Sequence, residues 1–81
     1  MSYTIRLRTC EFVQAARLAR LHSDYALARR MEVNRSTVTR VLKGDLQPGP
    51  AFVGGALAAL GKQFDDLFEV VRVARPGRGS S

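Results

Sequence analysis

The feature that most constrains this chain is the spacing of its helix start and stop signals. Ser23-Asp24, Asn34, Gly44, Pro50 and Gly61 follow one another at intervals of six to eleven residues. Ser and Asn side chains cap helix N-termini, Pro suits the first helical position, and Gly just past the last turn accepts a left-handed conformation. A helix held between such signals has about three turns at 3.6 residues per turn. A chain of 81 residues divided this way is left with one small domain of short helices packed on a common core.

Apolar periodicity fills in the elements. A first helix begins near Thr9, a candidate N-cap, and runs to about Leu21, with Phe12, Val13, Ala16 and Ala19 at helical spacing. A second spans Asp24 to about Met31 and turns Leu27, Ala28 and Met31 inward; a third, after the turn Glu32-Val33-Asn34, spans Arg35 to about Leu42 and buries Val38, Val41 and Leu42. Ser36, Thr39, Arg40 and Lys43 then form an outward stripe. The fourth helix, about Pro50 to Leu60, contains Gly54-Gly55. Each glycine there costs about 1 kcal/mol relative to Ala, so the pair implies a neighbouring backbone packed close. A fifth, Gln63 to about Val70, directs Phe64, Leu67 and Phe68 to the core, and Asp65-Asp66 compensates its dipole.

At the two ends, Tyr3, Ile5 and Leu7 alternate as in a strand, and 69–73 is rich in valine. Either these segments pair as a two-stranded ribbon, which must pack on the helices because an isolated ribbon is marginal in water, or both ends are irregular. The expected fold is mainly α: five helices with a small two-stranded β-ribbon from the termini, in one domain over 1–73. Residues 74–81, Ala-Arg-Pro-Gly-Arg-Gly-Ser-Ser, read as a disordered basic tail.

Composition narrows the function classes. One Cys and one His leave no disulfide framework, no Cys/His zinc cluster and no Cys-His or Ser-His-Asp set at a recognisable spacing. No catalytic role and no cofactor are therefore expected; Cys10 reads as a small core residue and His22 as a loop residue. No apolar run approaches the roughly 18 residues of a membrane span, and no signal peptide is evident, which points to a cytoplasmic protein without a membrane partner.

The net charge is +6 and lies in the first half: residues 1–44 carry nine basic and three acidic groups, and residues 45–81 carry four of each. Eleven of the thirteen basic residues are Arg, whose planar fork suits phosphates and guanine edges. A one-sided basic half points to an anionic polymer; the competing reading is an Arg-rich composition with no such partner. Arg6 and Arg8 either contact that polymer or guard an edge strand.

Two short helices joined by a three-residue turn, the second with a basic outer stripe, form the arrangement of a helix-turn-helix over 24–43. The stretch Leu27-Ala-Arg-Arg-Met-Glu-Val-Asn-Arg-Ser-Thr-Val-Thr-Arg-Val-Leu-Lys-Gly44 resembles the phage-repressor/Cro-like (XRE-type) helix-turn-helix family. The resemblance continues through Pro48, Leu57-Ala-Ala-Leu-Gly61 and Phe64-Asp-Asp-Leu-Phe68, covering about residues 9–70. It implies a transcriptional regulator, a repressor in the usual case, that inserts its third helix into the major groove of double-stranded DNA. By the resemblance, Arg35, Ser36 and Arg40 read bases, and Asn34, Thr39 and Lys43 touch backbone or bases. Ser23 and Tyr25 flank a helix N-terminus whose N–H groups suit a phosphate, and Gln47 beside Lys43 offers a second phosphate contact. A homodimer on a palindrome follows, with half-sites about 34–36 Å apart.

The chain departs from the family pattern at three points. Glu32 stands at the usual turn glycine. Asp24 replaces a phosphate-contacting Gln and reads as a helix cap. Leu42 replaces a Glu that would pair with Arg17. The rival functions are a protein-interaction module of the same fold, such as an antitoxin or antirepressor, and an RNA-binding protein. The expected absence of exposed aromatics beyond Tyr3 and Tyr25 for stacking single-stranded bases argues against the latter.

Overall fold

The computed structural model describes residues 2–73; the expected basic tail lies outside the described residues. The elements run β1 (Ser2–Leu7), α1 (Thr9–Leu18), α2 (Asp24–Met31), α3 (Arg35–Lys43), α4 (Pro50–Leu60), α5 (Phe64–Leu67) and β2 (Phe68–Val73). The fold is mainly helical, with a two-stranded antiparallel ribbon formed by the two ends of the described chain.

Local chemistry sets most boundaries. The Ser23 hydroxyl accepts from the Ala26 N–H at 3.0 Å and caps α2. Pro50 occupies the first turn of α4. Asn34 stands at the N-cap of α3 in extended geometry, without a side-chain capping bond. Gly44 closes α3 at φ +85°, with the Asp45 N–H reaching back to the Arg40 carbonyl at 2.9 Å.

Two helices stop in the same left-handed way without glycine. Glu32 ends α2 at φ 60°, and Val33 N–H donates to the Ala28 carbonyl at 3.0 Å. Arg20 turns at φ 64°, and Leu21 N–H donates to the Ala16 carbonyl at 2.9 Å. This second stop ends α1 at Leu18, three residues before the sequence-based expectation. Thr9 is the first helical residue of α1 and Arg8 its cap position.

The fifth helix is also shorter than expected. It stops at Leu67 because Phe68 enters the ribbon opposite Leu7. Arg8 fixes that junction: its N–H donates to the Leu67 carbonyl at 2.8 Å, and its Nε lies 3.1 Å and 3.3 Å from the carbonyls of Asp65 and Phe68. At the other end of α5 the Gln63 N–H donates to Asp66 Oδ2 at 3.0 Å, so Asp66 acts as a cap.

The core is a file of aromatic rings with small aliphatic residues around it. Phe12 meets Phe52 at 5.8 Å between centroids, Phe52 meets Phe68 edge-on at 6.3 Å, and Phe68 stacks on Phe64 at 5.4 Å. Leu27, Ala28, Met31, Val38, Val41, Ala56 and Leu67 close around them. On α1 it is Ala15 and Ala16 beside Phe12 that are buried; Val13, expected inward, is 41% exposed. Cys10 is exposed on α1 rather than in the core.

α2 packs on both α3 and α4. At the second crossing a Cβ on Gly55 would meet the Met31 carbonyl oxygen, whereas a Cβ on Gly54 would meet nothing within 4 Å. Only one glycine of the pair serves the close approach that the sequence implied. The ribbon leaves the core gradually. Leu7 and Phe68 are buried, Ile5 is half-buried, and Val70 and Tyr3 are 61% and 64% exposed on the same face.

Candidate nucleic-acid interface

The candidate interface is built on α3, which α2 holds through the buried Leu27, Ala28, Val38 and Val41. With its apolar side fixed, the rest of α3 faces outward. At about 100° per residue, Ser36, Arg40 and Lys43 lie opposite the buried Val38 and Val41, and all three are exposed. Arg35, in the first turn, and Asn34, at the cap, are exposed as well.

Thr39 differs from the rest of the stripe. It lies on the flank beside Leu42 and is half-buried. Its Oγ1 is 2.7 Å from Asp24 Oδ2 and 3.2 Å from the Arg35 carbonyl. Asp24 is therefore engaged with the middle of α3, while Ser23 alone supplies the side-chain cap of α2. Sequence reasoning missed this pair because the residues are fifteen positions apart on two helices. The available signal was the angular position of Thr39 next to the apolar Leu42.

Around α3 the remaining expected residues are spread over two loops and one helix end. Ser23 and Tyr25 are both exposed at the start of α2. The Tyr25 hydroxyl lies 3.2 Å from Arg29 Nη1, and the Arg29 guanidinium sits 5.8 Å from the Tyr25 ring centre. Gln47 and Lys43 line one groove between the end of α3 and the ribbon, together with Leu46, Pro48 and Val71. Arg17 lines a cleft with Leu42, His22 and Asp24 and forms no ion pair among the described residues.

Of the described basic side chains, two are ion-paired. Arg6 and Arg8 on the ribbon side face Glu69, at 2.8 Å and 3.9 Å. The hydrogen bond from Arg6 is the main cause that holds the Glu69 carboxyl below its ordinary range, outweighing desolvation, with the nearby charges of Arg6 and Arg8 adding to it. By contrast Arg29, Arg30, Arg35, Arg40 and Lys43 form no ion pair among the described residues.

No family model, no curated protein and no solved structure matches the chain. The case for a function therefore rests on the residues themselves. Among the described residues there is no group of three or more His, Cys, Asp and Glu side chains placed to hold a metal ion. No described helix is long and apolar enough to cross a membrane.

Proposed function

We propose that this protein is a sequence-specific double-stranded DNA-binding regulator of transcription, a helix-turn-helix protein of the repressor/Cro-like kind, whose helix α3 reads the major groove. The observation that carries the reading is the outward face of α3, where Arg35, Ser36, Arg40 and Lys43 are exposed opposite the buried Val38 and Val41. Arg29, Arg30, Arg35, Arg40 and Lys43 form no ion pair among the described residues, which leaves the charge of that surface open to an anionic partner, as is also so of Arg17, Arg20, Lys62 and Arg72 elsewhere on the molecule. A helix held by its apolar side and presenting exposed Arg35, Ser36 and Arg40 has the chemistry to read base edges. Arg pairs bidentately with guanine O6 and N7, each pair giving about 1–3 kcal/mol of discrimination. Asn34, Lys43, Gln47, Ser23 and Tyr25 surround α3 with donors suited to phosphates, which position the protein without reading sequence.

One such helix reads only a few base pairs, so the reading includes a homodimer on a palindromic site. Tyr3 and Val70 are exposed on one face of the ribbon beside the half-buried Ile5, with the Arg72 guanidinium 5.9 Å from the Tyr3 ring centre, and offer a surface for it. Regulation then works by occupancy, the bound protein helping or blocking polymerase.

The test is selection of bound sequences from random duplex with the intact protein beside Arg35→Ala and Arg40→Ala. A motif that each change relaxes at a defined position supports the reading. Weak, sequence-blind binding that neither change alters rejects it, and favours use of the same fold to hold a protein partner.

A further inference from the structure

We infer that Asp24 is a positioning residue for α3, a carboxylate that latches the reading helix through Thr39 and at the same time limits its grip on phosphate. The inference rests on the DNA-binding reading above. The contact is short, 2.7 Å, and part-buried, as a hydroxyl donating to a charged acceptor should be. Thr39 has a single hydroxyl proton to give. Of its two acceptors, the Asp24 carboxylate is nearer and charged, and the Arg35 carbonyl is the more distant at 3.2 Å. The proton therefore belongs to Asp24, and the Thr39 hydroxyl is not free to donate to DNA. Asp24 also favours the helix N-terminus by its charge in the first turn of α2, but the side-chain cap there is the Ser23 hydroxyl, which leaves the Asp24 carboxylate to Thr39.

The latch ties the first residue of α2 to the middle of α3, between Arg35 and Arg40. Core packing by Val38 and Val41 holds one side of α3, but apolar contacts are non-directional. A hydrogen bond on the flank fixes the rotation of the helix about its own axis, which decides where the two guanidinium groups point. Asp24 is also the one acidic side chain hydrogen-bonded to α3 among the described residues. It stands between Ser23 and Tyr25, so its charge opposes a phosphate brought to that helix end.

The two roles are separable by substitution. Asp24→Asn keeps an oxygen to accept from Thr39 but removes the charge; Asp24→Ala removes both, and Thr39→Val removes the latch alone. The experiment measures affinity of the full chain for its selected duplex and for random duplex over a salt series. Asp24→Asn should keep the wild-type ratio of the two affinities and raise both roughly tenfold near 0.1 M salt, with a salt slope steeper by about one. Asp24→Ala and Thr39→Val should each lower the ratio about tenfold, and the double variant should be no worse than either. Thermal melts of each variant identify any that fails to fold, and Asp24→Asn serves as the rescue. A ratio unchanged in both Asp24→Ala and Thr39→Val, or an Asp24→Asn protein that binds random duplex no more tightly, overturns the inference. A wild type that binds all duplexes alike rejects the DNA reading itself. A discriminating wild type with a ratio insensitive to the latch rejects only this inference.

Discussion

The backbone of Gly55 lies against Met31 so closely that a Cβ at position 55 would collide with the Met31 carbonyl oxygen and sit 3.1 Å from the Met31 Cβ. Gly54, one residue earlier on the same helix, has open space where its Cβ would be. The two glycines should respond to alanine with opposite signs. Gly54→Ala should stabilise the protein by about 0.5–1 kcal/mol through helix propensity. Gly55→Ala should destabilise it by about 1–3 kcal/mol, because the clash is with backbone and α2 must move. Urea unfolding of the two variants beside wild type measures both, and equal effects would refute the assignment of the α2–α4 crossing to Gly55.

Glu32 and Arg20 hold left-handed conformations that strain an L-residue. That conformation costs roughly 1–2 kcal/mol for a residue with a Cβ, against roughly 0.5–1 kcal/mol of extra chain entropy that glycine loses on folding. Glu32→Gly and Arg20→Gly should therefore be neutral or stabilising by up to about 1 kcal/mol. A clear fall in the melting temperature of either would show that the side chain has a structural task beyond its turn.

The Glu69 carboxyl is held below its ordinary value of 4.5, first by the Arg6 hydrogen bond. A lowered pKa in the folded state means that the charged form favours folding. The contribution is present in full above the unfolded value and is lost as pH falls through the folded one. Wild type should melt slightly higher than Glu69→Gln at neutral pH, and the difference should fade below pH 4.5. It should also shrink with salt, since the pair is open to solvent. Melting curves across that range check this; a difference that grows on acidification would give the wrong sign.

Lys43 and Arg40 are both exposed on α3, but they are expected to act differently. Lys43→Ala should weaken binding to every duplex alike and lower the salt slope by about one, as loss of one phosphate contact does. Arg40→Ala should relax the preference at one base position by about 1–3 kcal/mol. Fluorescence anisotropy on matched and single-substituted duplexes separates the two patterns. If Lys43→Ala changed base preference instead, its role in the reading would have to be exchanged with that of Arg40.

The parts of the fold that were legible in the sequence are those governed by local chemistry. α2 begins where Ser23 puts it, α4 begins and ends where Pro50 and Gly61 put them, and α3 closes at Gly44. Boundaries set by tertiary contact were not legible. α1 stops early because Arg20 adopts a conformation its side chain does not advertise, and α5 stops early because Leu7 claims Phe68 as a strand partner. The strand pairing of the two ends was legible as one of two alternatives, since alternation marks a strand but not its partner. In the candidate site, the exposure of Arg35, Ser36, Arg40 and Lys43 follows from helical phase. The Asp24–Thr39 bond does not, because it depends on how two helices meet.

The register that sets Ser2 opposite Val73 and Leu7 opposite Phe68 also implies an order of events. The α2–α3 contacts join segments near one another in the chain and can form early, whereas the ribbon closes the longest loop the described residues allow. During synthesis β1 emerges first and must wait for the whole helical body before its partner exists. Through that interval its open edge is exposed to other nascent chains, and the positive charges of Arg6 and Arg8 serve as a deterrent to wrong pairing. Once β2 arrives, Glu69 offsets part of that charge, pairing closely with Arg6 and at 3.9 Å with Arg8, so the same two arginines that guard the unpaired strand become part of its closure.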